Sequence, residues 1–189
     1  EIKSTSMKKL SLLALLFLTL NVVLAQNEYG QILSMKDRAA TINRLLEDKV
    51  KNYLPEIMRR EGIDMWVVVS REYNEDPVIK TLLPAEWLAA RRRTILVFFD
   101  QGEGKELETL AVARYDVGSV FKSAWNKELQ PDQWARFAEI VKERKPKKIG
   151  VNKSEYFGLA DGIVATDYEE LIKSIGKEYE KKVVSAEKV

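Results

Sequence analysis

Three carboxylates follow an apolar run and form the clearest cluster of titratable side chains in the sequence. Glu72, Glu75 and Asp76 come shortly after the run Met65–Val69. Two carboxylates in different environments can act as general acid and general base, and three converging oxygen ligands can bind a divalent cation. A cluster confined to one polar loop is also typical of a solvated strand end, and Asp76 before Pro77 suits the start of a turn or helix. The sequence favours this structural interpretation over a hydrolase that uses the three carboxylates.

Polar and aromatic side chains near this cluster offer contacts to a ligand or a partner. Tyr73 and Asn74 lie just after the predicted strand, at the end where α/β proteins commonly bind ligands. Trp87 and Trp125 lie outside the clear strands and helices. They are therefore better candidates for a partner surface than the other two tryptophans, Trp66 and Trp134, which suit a buried core.

Two basic runs and a glycine pair each have a functional and a structural interpretation. Arg91–Arg93 can clamp a carboxylate or a phosphate, because the guanidinium fork matches those groups. The sequence favours another role for this run, as the end of a helix that also protects the next strand from aggregation. Lys142–Lys148 is typical of a solvated helix end and turn. Gly102 and Gly104 lack the third glycine and the following helix of a nucleotide loop, so they predict a hairpin turn.

The composition excludes several kinds of active site. The 189 residues include no Cys and no His, which removes disulfides, thiolate zinc sites, cysteine nucleophiles and the Ser-His-Asp triad. Without residues 1–25, the 31 basic and 29 acidic side chains fall to 28 of each. A neutral chain lacks the net basic footprint of a nucleic-acid-binding domain, so we expect no nucleic-acid partner.

The first 25 residues have the pattern of a leader and secretory signal peptide. Met7-Lys8-Lys9 forms a positive segment, Leu10–Leu20 is apolar, and Ala25 ends a cleavage site with small residues. A membrane anchor is the alternative, but the apolar stretch is shorter than the roughly 20 residues that a span needs. We expect residues 26–189 to be secreted or periplasmic and, after cleavage, to have no contact with the membrane.

The hydrophobic pattern predicts an α/β domain built on a mixed sheet. A long helix is expected over 34–60, interrupted at Pro55 and ended by Gly62, and a capping box is expected at Thr166–Glu169. A strand that is apolar on both faces is expected inside a sheet covered by helices on both sides. The predicted strands are 65–69, 94–99, 107–115, 149–151 and 183–185. The second and third of these strands are expected to form a hairpin. The later helices are predicted over 131–144 and 166–175.

Four segments together resemble one family. They are MRREGIDMW (58–66), SREYNEDP (70–77), LPAEWLAARRRTILV (83–97) and VVSAEK (183–188). In this order they resemble the amino-terminal domain of creatinase/prolidase/aminopeptidase P-like proteins, the pita-bread metallopeptidases, and most closely their secreted bacterial Xaa-Pro aminopeptidase-like members. The resemblance implies that 26–189 is a three-layer α/β domain with a ribonuclease H-like motif, a mixed sheet flanked by helices.

The resemblance also implies a function for a larger protein. In this family a separate catalytic domain, expected to be absent from this chain, holds two divalent ions (Mn, Co or Zn) with two Asp, one His and two Glu. No residue here matches those ligands, so no catalytic or metal-binding residue is assigned to this chain. We expect the domain to contact its own catalytic domain, to help form a homo-oligomer and to border a cleft for short Xaa-Pro peptides through Arg71, Tyr73 and Asn74. The alternative is a free-standing exported binding or oligomerisation module without enzymatic activity.

Overall fold

A six-stranded mixed sheet organises the fold. The structure is a computed structural model that describes residues 32–189, so the predicted signal peptide lies outside the described residues. The sheet belongs to the unit Ala39–Val189, and the described residues before it begin helix α1. The helices are α1 (Met35–Asp48), α2 (Leu54–Glu61), α3 (Pro77–Lys80), α4 (Gln133–Arg144) and α5 (Ala165–Glu180), and the strands are β1 (Met65–Arg71), β2 (Arg93–Phe99), β3 (Glu108–Val112), β4 (Lys122–Ser123), β5 (Ile149–Val151) and β6 (Val183–Ser185).

The strand order places β1 in the interior of the sheet. The order is β4-β3-β2-β1-β5-β6. Strands β1, β2 and β3 pair antiparallel, whereas β1 with β5, β5 with β6 and β3 with β4 pair parallel. The carboxyl ends of β1, β5 and β6 therefore lie at the same edge of the sheet. The prediction of an α/β domain with a mixed sheet and a β2–β3 hairpin is confirmed.

Two hydrophobic cores lie on opposite faces of the sheet. Trp66 and Val68 of β1 pack in one core with the helical region that precedes the strand. The alternating residues of the same strand, Met65, Val67 and Val69, pack in the other core, which α4 and α5 cover. This arrangement confirms a strand that is apolar on both faces, because each side chain of the run meets a helix layer. None of the helices in residues 32–189 is long and apolar enough to cross a membrane.

The predicted long helix before β1 consists of three pieces. Between α1 and α2, residues Lys49–Tyr53 form a π-helical turn, in which the Leu54 amide donates to the Lys49 carbonyl five residues back. Pro55 lies in the first turn of α2, where its missing N–H matters least. Gly62 closes α2 in the left-handed conformation, with φ of 66°, as predicted.

Buried side chains explain the π-helical turn. Leu46, Val50, Leu54 and Met58 pack in one core at strict four-residue steps. An α-helix advances about 100° per residue, so such a stripe drifts by roughly 40° at each step. A π turn holds more residues than an α turn and brings the stripe back to the core. The hydrophobic period alone does not reveal this turn.

Three predicted helix ends are wrong. Helix α4 begins after Asp132, whose carboxylate accepts from the amides of Trp134 and Ala135, so Pro131 lies outside the helix. Helix α5 follows Val164 without a side-chain cap, so Thr166 is inside the helix and forms no capping box. Arg91–Arg93 follows an irregular segment rather than a helix, since α3 ends at Lys80.

Helix α5 is also longer than predicted. It continues past Gly176 to Glu180. Gly176 does interrupt the helical backbone, with φ of 72° and ψ of 173°, but a further helical turn follows. Strand β3 is shorter than expected and ends at Val112, because the chain after it turns to form β4.

Candidate functional site

The polar turn at residues 70–76 begins with the last two residues of β1 and lies at the edge of the sheet where the parallel strands β1, β5 and β6 end. Its backbone closes on itself, because the Asn74 amide donates to the Arg71 carbonyl at 3.0 Å. Crevices at the carboxyl ends of parallel strands are the common ligand sites of open α/β sheets. The turn therefore lies where the sequence predicts a contact surface.

Tyr73 forms the tip of this turn in an uncommon backbone conformation. Its φ is 66°, in the left-handed region, which bulky residues other than glycine rarely occupy. Its side chain is 87% exposed, so no packing of the ring compensates for the conformation. Backbone strain of this kind costs about 1–3 kcal/mol and is concentrated at functional sites. Asn74 next to it is also exposed, and its side-chain amide has no hydrogen bond within residues 32–189.

The three carboxylates hold the turn in place through backbone amides. Glu75 Oε1 accepts from the amides of Tyr73 at 3.0 Å and Ala90 at 2.9 Å. Glu72 Oε2 accepts from the Arg92 amide at 3.0 Å. These bonds fasten the turn to the segment that leads into β2. They support a structural role for both carboxylates, because their accepting oxygens are used by the fold.

Asp76 caps the short helix that follows the turn. Its Oδ1 accepts from the Ile79 amide at 2.6 Å, as its position before Pro77 predicts. Its Oδ2 accepts from Asn152 Nδ2 at 3.3 Å. No group of three or more Asp or Glu side chains in the described range converges in a way that could hold a metal ion.

Arg71 uses its guanidinium within the fold. It forms two hydrogen bonds to the Asp167 carboxylate and a third to Thr166 Oγ1 at 3.0 Å. Bonding to Asp167 raises the pKa of the Arg71 guanidinium. Arg93 Nε also donates to Asp167 Oδ1, at 3.0 Å. Of the three predicted contact residues, Tyr73 and Asn74 are exposed at the tip, whereas Arg71 anchors the base of the turn.

A cleft beside the turn was not predicted from the sequence. It has a volume of about 360 Å³ and is lined mainly by apolar side chains, among them Trp66, Phe157 and Leu159. Asn152 joins it to the turn, because its Oδ1 accepts from Trp66 Nε1 at 2.9 Å while its Nδ2 donates to Asp76. Lys49 also lines the cleft, and burial lowers the pKa of its ammonium group. An asparagine directly after the short strand β5 was the available signal.

Trp87 and Trp125, the predicted partner-surface residues, are both half-buried. Trp125 Nε1 donates to the Gln130 carbonyl at 2.7 Å. Trp87 packs against the Arg91 guanidinium and the edge of Tyr115. The two indoles line one small cleft on the side of the arginine run. The structure thus brings together two features that the sequence presents separately, the arginine run and the two tryptophans.

Comparisons with protein-family models, with curated proteins and with solved structures gave no match. The basis for a functional proposal is therefore the chemistry of the described residues. The turn at 70–76 combines an exposed aromatic tip, a strained backbone and anchors on three sides. Such a surface suits contact with another molecule better than acid–base catalysis.

Proposed function

We propose that this chain is the non-catalytic amino-terminal domain of a secreted Xaa-Pro aminopeptidase-like metallopeptidase. In this proposal the turn at 70–76 forms one lip of the substrate cleft or a contact with a partner subunit. The observation that carries it is Tyr73, an exposed aromatic side chain held in a left-handed backbone conformation. A fold that keeps such strain without burying the ring gains nothing in stability from it, which supports a role in binding.

The anchoring of the turn supports this role. Glu72 and Glu75 bind backbone amides on the strand side, and Asp76 fixes the start of α3. A contact surface that is rigid before binding loses less conformational entropy when a ligand or partner arrives. Tyr73 and Asn74 thus present an aromatic face and an amide in a fixed relation, suited to the end of a short peptide.

The proposal assigns the chemistry to a different part of the larger protein. In enzymes of this class a catalytic domain would hold two divalent ions (Mn, Co or Zn), which would supply the Lewis-acid chemistry for peptide hydrolysis. This chain offers neither His nor Cys. We therefore expect the 189-residue chain alone to give no hydrolysis of an Xaa-Pro peptide above background with added Mn²⁺, Co²⁺ or Zn²⁺.

The decisive experiment uses the protein produced from its own gene, with any reading frame that continues past Val189. We expect this protein to hydrolyse Xaa-Pro peptides in the presence of Mn²⁺. Tyr73→Ala should raise KM by roughly 3–10-fold with little change in kcat, which corresponds to loss of one aromatic contact. Tyr156→Ala is the matched control, because Tyr156 is 88% exposed and lies outside the turn. Equal kinetic constants for both variants would contradict the role of the turn.

A free-standing binding or oligomerisation module remains the alternative. The exposed apolar side chains beside the 360 Å³ cleft favour it, since Phe157 and Leu159 are both more than half exposed and exposed apolar patches mark interaction sites. A gene that encodes no Asp, His and Glu set for two metals after Val189 would support this alternative. Sedimentation of the purified chain would then test whether it assembles on its own.

A further inference from the structure

A second cleft, lined by cations and aromatic rings, lies beside the amino-terminal end of β2. Its volume is about 170 Å³. Of the lining side chains within residues 32–189, five are basic, three are aromatic and none is a carboxylate. The basic residues are Arg91, Arg92, Arg93, Arg114 and Lys127, and the aromatic residues are Trp87, Tyr115 and Trp125.

Most of this positive charge is uncompensated. Arg93 shares Asp167 with Arg71. The other four cations form no ion pair within residues 32–189. Glu72 lies nearby and accepts from the Arg92 backbone amide, but it does not line the cleft. Several cations around a concave surface raise the local concentration of anions.

One of the lining arginines, Arg91, is positioned before any ligand arrives. The Arg91 guanidinium carbon lies 4.3 Å from the Trp87 ring centroid and 5.6 Å from that of Tyr115. The Arg91 amide also donates to the hydroxyl of the buried Thr94, at 3.3 Å. A guanidinium that stacks on aromatic faces keeps the hydrogen-bond donors at its edge free for an oxyanion.

We propose that this cleft binds a small organic anion whose phosphate or carboxylate group is attached to an aromatic or other planar body. The unpaired guanidinium groups would receive the oxyanion in charge-assisted hydrogen bonds, and the indole and phenol rings would pack against the planar body. The volume is below that of a typical drug-sized site, which limits the ligand to about one ring and its acidic group. The proposal does not depend on the peptidase assignment.

Titration of the 189-residue chain with phenyl phosphate and with phenylacetate tests this site. Both probes carry an anion on a ring, and together they distinguish a phosphate site from a carboxylate site. We expect at least one to bind, to quench tryptophan fluorescence and to bind more tightly than inorganic phosphate. Neutral benzyl alcohol should bind more weakly than either anion, because it lacks the charge that the arginines recognise.

Three variants of lining residues and one control variant locate the binding. Arg91→Ala and Arg114→Ala should each weaken binding about tenfold, as expected for loss of one charge-assisted hydrogen bond. Arg44→Ala is the control, because Arg44 is exposed on α1 and does not line the cleft. Arg91→Lys retains the positive charge but lacks the planar guanidinium that stacks on the aromatic rings, so this variant should bind the probes with intermediate affinity. Absence of binding by both probes at 10 mM, or equal weakening in all variants including Arg44→Ala, would overturn the proposal.

Discussion

Arg71 and Asp167 form a bidentate ion pair that joins the end of β1 to the first turn of α5. Arg71 Nε lies 2.8 Å from Asp167 Oδ2, and Arg71 Nη2 lies 2.8 Å from Oδ1. Arg71 and Arg93 occupy directly opposite positions of the β1–β2 pair, where like charges destabilise a sheet. Asp167 accepts hydrogen bonds from both guanidinium groups. Its negative charge offsets their repulsion, and the bonds link β1, β2 and α5.

Asp167→Asn should therefore lower the free energy of unfolding. The Asp167 side chain is only 1% exposed, and its loss leaves two facing guanidinium groups without a counter-charge. Fully buried pairs cost about 3–5 kcal/mol when broken; because Arg71 and Arg93 are partly exposed, we expect roughly 2–4 kcal/mol. Urea unfolding measures the change. Glu169→Gln in the same helix is exposed and should change stability by less than about 0.5 kcal/mol.

Tyr73→Gly should not destabilise the domain, although it deletes a large side chain. Glycine adopts a φ of 66° without the left-handed penalty of about 1–2 kcal/mol, and its extra flexibility in the unfolded chain offsets roughly 0.5–1 kcal/mol of that gain. Tyr73→Ala keeps the penalty. The glycine variant should thus equal or exceed the alanine variant in thermal unfolding, while both lose the proposed contact. A clearly less stable glycine variant would argue against strain at this position.

Gly162→Ala should destabilise the turn through Asp76. A Cβ at residue 162 would lie 1.5 Å from Asp76 Oδ2 and 2.6 Å from Asp76 Cβ, so the cap of α3 must move. We expect a loss of about 1–3 kcal/mol, measured by urea unfolding. Gly158→Ala is the control, since nothing lies within 4 Å of its added Cβ.

A second substitution tests whether Asp76 is the cause. Asp76→Gly removes the clashing atoms, and glycine is a tolerable N-cap residue. The double variant Asp76→Gly/Gly162→Ala should therefore lose less free energy of unfolding than the sum of the losses in the two single variants. If the two losses of stability were fully additive, the clash with Asp76 would not be the cause of the Gly162→Ala effect.

Asp100 should contribute to acid sensitivity. A hydrogen bond from Arg59 lowers the pKa of the Asp100 carboxyl below its usual value of 3.8. Its stabilisation is complete above that value and disappears as the pH falls through the lower pKa of the folded state. Asp100→Asn should thus be less stable than the wild type at pH 7, and the gap should narrow below pH 3.8. Glu155→Gln, at an exposed position, is the control and should change stability at pH 7 by less than about 0.5 kcal/mol.

The sheet could be predicted from the sequence because its signals are local. Five of the strands contain a short apolar run, and the turn at Gly102 and Gly104 marks the hairpin. Strand β4 (Lys122–Ser123) is polar and exposed and was not predicted. The capping box at Thr166–Glu169 was wrong for a reason outside its own segment. Thr166 Oγ1 accepts a hydrogen bond from Arg71, which lies 95 residues away in the sequence, and the helix already begins at Ala165. Local patterns carry no information about such partners.

The candidate sites were predicted in part. The exposed tip of the turn was located correctly as a polar strand end, but the use of Glu72 and Glu75 as acceptors for backbone amides depends on residues 90–92 folding back beside them. The grouping of Trp87 and Trp125 with the arginine run likewise depends on the pairing of β2 with β3. Residue types indicate which chemistry is available, whereas the tertiary fold decides which groups remain free to use it.

The π-helical turn at Lys49–Tyr53 has a consequence for how this lineage can change by insertion and deletion. Removal of one residue there would restore regular α-helical hydrogen bonding along the whole segment. The same deletion would leave Leu54 and Met58 facing the core they fill, because the π turn holds one residue more than an α turn, whereas a deletion in the regular part of α1 would rotate everything on one side of it by about 100°. We therefore expect loss of one residue to be tolerated at Lys49–Tyr53 and to be destabilising in the α-helical parts on either side.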